Sequence, residues 1–156
     1  MQMELQNLSM TYPSGKQALH QINLALKAPS LIGLLGPNGA GKSTTISILS
    51  TLLIKDSGTV IINGFRLGQE DERIRSGIGI VFQNSVLDEL LSVKQNLILR
   101  SALYHLPYKQ ACRRVQKLCD ICELHDIMHQ PVGTLSGGQR RRCDIARALI
   151  PEPEIL

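Results

Sequence analysis

The order of apolar and polar residues changes texture along the chain, and each texture predicts a different element. Ile22, Leu24 and Leu26 alternate with Asn23, Ala25 and Lys27, the period of two that marks a strand with one wet face. A first strand is predicted near Met3–Leu8, and Tyr12-Pro13-Ser14-Gly15-Lys16 between the two carries turn chemistry, so the chain opens as antiparallel β. Ser30-Leu31-Ile32-Gly33-Leu34-Leu35 is then almost continuously apolar, the pattern of a strand buried on both faces of a parallel sheet. A glycine-rich loop follows. Ile46, Leu49 and Leu53 recur at helical spacing, which predicts a helix from about Lys42 to Leu53.

Asp56-Ser57-Gly58 ends that unit, Val60-Ile61-Ile62 reads as a short strand closed by Asn63-Gly64, and Ile78 to Phe82 reads as another. The charged stretch from Gln69 to Arg75 between them is expected as a solvated short helix or loop. Ser92 with Gln95 three positions on forms a capping box for a helix toward Tyr104. Pro107 breaks that helix, a second runs to about Leu124, and a last one starts near Ser136 and stops before Pro151. Pro151-Glu152-Pro153-Glu154 reads as a turn and Ile155-Leu156 as the first residues of a further strand. A strand–loop–helix unit followed by helices that return toward the sheet is an α/β order.

Composition narrows the class without naming a task. A chain of 156 residues buries roughly 70% of its unfolded surface and needs neither disulfides nor metal to build a core. With 43% hydrophobic and 19% charged residues it is neither disordered nor collagen-like. The apolar stretches at Leu31–Leu35 and Ile46–Ile54 are too short or too interrupted to span a bilayer. The start, Met-Gln-Met-Glu-Leu-Gln, lacks a basic segment and an apolar run, so no secretory signal is expected, and the four cysteines are expected as reduced cytosolic thiols. The net charge of +4 suits nucleic acid, an anionic membrane surface or a phosphorylated ligand.

Gly36-Pro37-Asn38-Gly39-Ala40-Gly41-Lys42-Ser43 chooses among these. It satisfies G-x-x-x-x-G-K-[ST] after a predicted strand and before a predicted helix, the setting that the motif requires. Glycines let successive N–H groups turn inward toward phosphate oxygens, and the helix N-terminus adds the positive end of its dipole. Lys42 supplies a point charge for the β- and γ-phosphates, and the Ser43 hydroxyl is a Mg²⁺ ligand by its chemistry.

Leu135-Ser136-Gly137-Gly138-Gln139 precedes the last helix. Ser136 caps it, and Gly137 and Gly138 expose backbone N–H groups at a helix start, a second anion site. Taken alone this is an ordinary capped helix. Together with the phosphate loop it resembles the signature of the ATP-binding cassette (ABC) ATPases, in the drug and antibiotic exporter branch of the daunorubicin-resistance type. That branch is indicated by Val81-Phe82-Gln83-Asn84-Ser85-Val86-Leu87-Asp88-Glu89-Leu90-Leu91-Ser92-Val93. The resemblance runs from about Met3 to Leu156. It implies an α/β P-loop NTPase core with an N-terminal antiparallel β subdomain and a helical subdomain, the C-terminal part of the sheet missing. As a single incomplete nucleotide-binding domain, 1–83 would be the β and phosphate-loop core, 84–135 the mainly helical part, and 136–156 the signature helix and the start of the next strand.

The resemblance also implies roles. Tyr12 stands where the family's aromatic stacks on adenine, with a plain turn tyrosine as the alternative. Gly36 to Thr44, including Pro37, Asn38, Gly39, Ala40, Gly41, Lys42 and Ser43, matches the loop that binds ATP and Mg²⁺. Gln83 matches the glutamine that contacts Mg²⁺ and the attacking water and responds to the membrane partner. Ser136, Gly137, Gly138 and Gln139 would close over the γ-phosphate of a second cassette, in a head-to-tail homodimer or heterodimer. An integral membrane permease would be the other partner, the chain lying in the cytoplasm on the inner face of the membrane and driving export, with no nucleic acid expected. The alternatives are a non-transport cassette on ribosomes or nucleic acid, and a truncated binder without catalysis.

Some expected parts are absent. An apolar strand ending in Asp-Glu should follow the signature, and the acids after Gln139 are Asp144, Glu152 and Glu154, none of which ends such a strand. His20, His105, His125 and His129 all precede the signature and do not match the family's later switch histidine. These 156 residues alone are therefore expected to hydrolyse ATP slowly if at all. The stretch from Gln83 to Ser136 has room for a small helical subdomain but not for the long coiled coil of chromosome and repair members. Arg140-Arg141-Arg142 reads as a solvated helix face. Cys119-x-x-Cys122-x-x-His125-x-x-x-His129 reads as buried free thiols rather than zinc ligands, because its first three ligands share one helical stretch.

Overall fold

The computed structural model describes residues 2–27 and 29–156. The chain divides into two compact units, Met1–Arg75 and Ser76–Leu156. The first holds an antiparallel sheet in the order β2-β1-β3-β4, formed by β1 (Gln2–Thr11), β2 (Gln17–Lys27), β3 (Ser57–Ile62) and β4 (Phe65–Arg66). The predicted hairpin is present and longer than the alternation suggested. Its turn is closed by the Tyr12 N–H on the Lys16 carbonyl at 2.9 Å and the Gly15 N–H on the Tyr12 carbonyl at 2.8 Å. Along β1 the buried residues are Met3, Leu5, Leu8 and Met10, a step of three inside a period of two. The register shift between Leu5 and Leu8, with Asn7 at φ 51°, absorbs the extra residue and returns Leu8 and Met10 to the inner face. Asn63 and Gly64, at φ 52° and 84°, make the two-residue turn from β3 to β4 that such a pair favours. Leu19, Ile48, Val60, Ile62, Leu67 and Ile74 complete the buried apolar set of this unit. Helix α1 (Lys42–Leu49) and the short α2 (Asp71–Ser76) lie along its chain; α2 falls in the charged stretch, as expected.

Two strand expectations are corrected. Residues 30–35 form no strand among the described residues; Leu31 and Leu35 are fully exposed and Ile32 and Leu34 are 42% and 39% exposed. A parallel strand exists only through its neighbours, and none pairs with this run. Ile78 to Phe82 likewise reduces to one parallel bridge, Ile78 with Ile155, reinforced by the Gly79 N–H on the Ile155 carbonyl at 2.8 Å. That bridge bears out the strand-like start read at Ile155. Helix α1 also stops at Leu49 rather than Leu53. Thr51 at φ 60° turns the chain out of the helix, and its N–H and that of Leu52 close on the Ile48 and Ser47 carbonyls.

The second unit is helical, with α3 (Val93–Ala102), α4 (Tyr108–Ile121) and α5 (Gly137–Leu149). The capping box read at Ser92 is formed: the Gln95 N–H donates to Ser92 Oγ at 3.3 Å and the Ser92 N–H to Gln95 Oε1 at 2.9 Å. Pro107 stands at the N-cap of α4 with φ −56°, so it starts that helix as well as separating it from α3. Ala111, Val115, Leu118 and Cys119 form the buried stripe of α4. Val115, Leu118 and Cys119 pack in one core with Val93 and Leu97 of α3, with Leu124 and Val132, and with Cys143, Ala146 and Ile150 at α5. Each such side chain removed from water contributes about 1.5–3 kcal/mol if large and aliphatic, which makes this core the main source of the unit's stability.

Candidate functional site

In the first unit the predicted loop residues come together at the head of α1. Gly39 and Gly41 have φ 87° and 83°. A Cβ on Gly41 would lie 2.6 Å from the Ala18 carbonyl oxygen and 2.6 Å from Leu19 Cδ2, so only glycine lets the loop enter the helix while lying against β2. Lys42 folds back over the loop, its Nζ donating to the Gly36 and Pro37 carbonyls at 2.7 Å each. One ammonium hydrogen remains for a ligand.

The helix start leaves the Lys42, Ser43 and Thr44 N–H groups without intrahelical carbonyls, and α1 has no side-chain cap. Among the described residues no hydrogen bond from these N–H groups, or from those of Gly39 and Gly41, is present; the Ala40 N–H donates to Pro37 and the Thr45 N–H to Gly41. Unpaired N–H donors, a helix dipole and one ammonium at the same loop are the donor set that suits an anion. Ser43 is exposed beside it. Tyr12 reaches the same place from the hairpin turn, its hydroxyl 3.0 Å from Thr44 Oγ1.

The remaining predicted residues belong to the second unit. Ser136 caps α5 in a second capping box, with the Gln139 N–H on Ser136 Oγ at 3.3 Å and the Ser136 N–H on Gln139 Oε1 at 2.9 Å. Gly137 and Gly138 are exposed, and a Cβ at either would meet nothing within 4 Å. Their own fold therefore does not require glycine, which at a helix interior costs about 0.5–1 kcal/mol relative to alanine. Bare backbone there leaves room for an approaching group from outside. Gln83 is exposed in an irregular segment.

Two groups of residues were missed by the sequence reading. Asp144 was seen only as an acid inside a helix; it is buried and accepts from the Ser85 hydroxyl at 3.1 Å. The arginine run lies on a partly exposed helix face, as read, but its side chains also have partners. Arg140 pairs with Glu89 at 3.0 Å, Arg142 with Glu123 at 3.1 Å, and Arg141 donates to the Phe82 carbonyl. A charged helix face looks the same in sequence whether it meets water or a neighbouring segment. Cys119, Cys122 and Cys143 are buried free thiols, and burial raises all three pKa values, that of Cys143 to about 11. Their thiolates are scarce at neutral pH.

The comparisons with known proteins bear on both helix-head motifs. The chain matches the family described as ABC transporter over residues 19–156. It is 41% identical over 141 residues to the daunorubicin resistance ATP-binding protein DrrA3 of Streptomyces coeruleorubidus, covering 90% of this chain and 45% of that relative. It is 40% identical over 140 residues to the sulfate/thiosulfate import ATP-binding protein CysA of Mesostigma viride, covering 90% of this chain and 40% of that one. The dimeric ATP-binding cassette MJ0796, solved in a post-hydrolysis state with ADP and Pi, superposes with a TM-score of 0.84 at 30% identity, over 97% of this chain and 70% of that one. The chain thus spans less than half the length of these curated relatives. Because the family match runs from Leu19 to the last residue and takes in both the Lys42 loop and the Ser136 cap, the chain belongs to the ABC transporter family.

Proposed function

We propose that this chain is the ATP-binding part of a transporter ATPase subunit, which couples ATP binding and hydrolysis to export through a membrane partner. The observation that carries the reading is the Lys42 ammonium, held over the loop by the Gly36 and Pro37 carbonyls beside unpaired N–H groups. The fit to a nucleoside triphosphate follows from the donor set: cationic and N–H donors suit phosphate oxygens, and the cradle exists only because Gly41 lacks a Cβ. Gly36 to Thr44 would hold the phosphates, with Lys42 on the outer ones and the Ser43 hydroxyl as a Mg²⁺ ligand. Bound Mg²⁺ supplies charge neutralisation on the phosphate oxygens. Tyr12 offers an aromatic face to the base, and its hydroxyl contact with Thr44 fixes the ring's place. On the second unit Gln83 keeps the role that the resemblance gives it, toward metal and water. Ser136 to Gln139 present bare N–H groups to a phosphate held by a second cassette.

A head-to-tail pair of cassettes is supported by the dimeric neighbour and by glycines that have no steric reason within their own chain. No helix among the described residues is long and apolar enough to cross a membrane, which fits attachment from the cytoplasmic side through a permease. Export is favoured by the segment after Gln83 and by the resistance protein's name, while CysA is named for import. The deciding experiment is ATP hydrolysis and ATP-driven substrate accumulation in inside-out vesicles carrying the full-length protein and its permease. Lys42→Ala should abolish both; unchanged turnover would contradict the reading.

A further inference from the structure

Three side chains spaced three residues apart on α5 hold the segment that carries Gln83. Arg147 donates from Nη2 to the Ile80 carbonyl at 2.7 Å, and its guanidinium carbon lies 5.5 Å from the centre of the Phe82 ring. Arg141 donates to the Phe82 carbonyl. Asp144 accepts from the Ser85 hydroxyl, which itself accepts from the Leu87 N–H at 3.4 Å. Positions 141, 144 and 147 form one ridge of the helix. They grip the chain at 80, 82 and 85, on both sides of Gln83, and leave the glutamine itself exposed.

Two members of the ridge are buried, Asp144 at 4% and Arg147 at 6% exposure. Arg147 Nε is buried without a partner, and burial followed by the charge of Arg100 lowers its pKa. Buried charges of this kind add little net stability compared with apolar side chains of the same volume. What they do supply is direction, since hydrogen bonds to two carbonyls and a hydroxyl fix the segment's register in a way that apolar packing does not.

We infer that Ser85 and Asp144 are positioning residues, which with Arg141 and Arg147 fix the Gln83 backbone at a set offset from the Ser136–Gln139 head of the same helix. α5 is one uninterrupted helix of 13 residues, so its two ends move together. The inference rests on the ATP reading above and deepens it.

The test is steady-state ATP hydrolysis by the full-length protein. Asp144→Ala risks unfolding, because it removes a buried carboxylate and the negative charge near buried Arg147, so Ser85→Ala is the primary variant: it removes one hydroxyl from a half-buried site. Ser85→Ala should lower kcat about tenfold, the scale on which a small misplacement costs rate, with the KM for ATP unchanged and only a modest fall in melting temperature from the Asp144 oxygen left without its donor. It should also raise the Mg²⁺ concentration for half-maximal rate, in the same direction as Gln83→Ala should, and Ser85→Thr should restore both. A Ser85→Ala enzyme with wild-type kcat, or a loss that tracks melting temperature and is not restored by threonine, would overturn the inference. Lys42→Ala separates the two readings: unimpaired ATP binding there refutes the ATP site itself. Hydrogen exchange of 80–85 then still judges the tether. Faster exchange in Ser85→Ala with α5 unaltered upholds it, and unchanged exchange refutes it.

Discussion

At the scale of single residues, Gly41 and Cys143 carry the clearest consequences. A methyl group at Gly41 would sit 2.6 Å from the Ala18 carbonyl in a backbone at φ 83°. Gly41→Ala should therefore destabilise the first unit by about 1–3 kcal/mol, read by chemical denaturation, and weaken ATP binding with it. The Cys143 thiol, raised by burial to about 11, stays protonated in the folded chain well above its ordinary pKa of 9.0. Between those values the folded state binds more protons than the unfolded state, so stability is full below pH 9 and falls as pH rises toward 11. Cys143→Ala should flatten that fall in a denaturation series, and an unaltered slope would refute the assignment. Iodoacetamide at pH 8 should modify Cys112, which is half-buried, well before Cys119, Cys122 or Cys143. The glycines and Lys42 were legible in sequence because their motif is a local backbone device. The reason Gly41 tolerates no side chain was not, since it depends on β2 passing over the loop.

At the scale of elements, the Ser92–Gln95 capping box was readable from S-x-x-Q and forms as predicted, and Ser136 caps α5 as read, in a box whose Gln139 half the reading did not name. Ser92→Ala should cost about 1 kcal/mol of stability, measured by urea denaturation, and leave ATP binding as it was. The bulged β1 was only partly legible: alternation located it, but the step from Leu5 to Leu8 shows only once β3 and β2 flank it. The run from Ser30 to Leu35 shows the limit most sharply. Its composition is that of a buried parallel strand, yet strand formation is a property of the neighbours, and none among the described residues supplies a ladder. In the 156-residue chain, amides 31–35 should exchange within seconds while those of Leu5 and Val60 stay protected for hours. Protection of 31–35 equal to that of β1 would contradict this.

At the scale of the molecule, the net charge of +4 is a poor guide to partners, because much of the basic face of α5 is engaged with Glu89, Glu123 and backbone carbonyls. Family membership was legible because it rests on two short backbone motifs. The packing of α5 against the Gln83 segment was not, since helix periodicity says which residues share a face and nothing about what that face meets. The central claim is that phosphate is bound by the Lys42 loop. Its most direct test is calorimetric titration of the protein with Mg-ATP, wild type against Lys42→Ala. Loss of a charge-assisted contact worth about 1.5–3 kcal/mol predicts affinity lower by about ten- to a hundredfold. Equal affinity in the two proteins would contradict it.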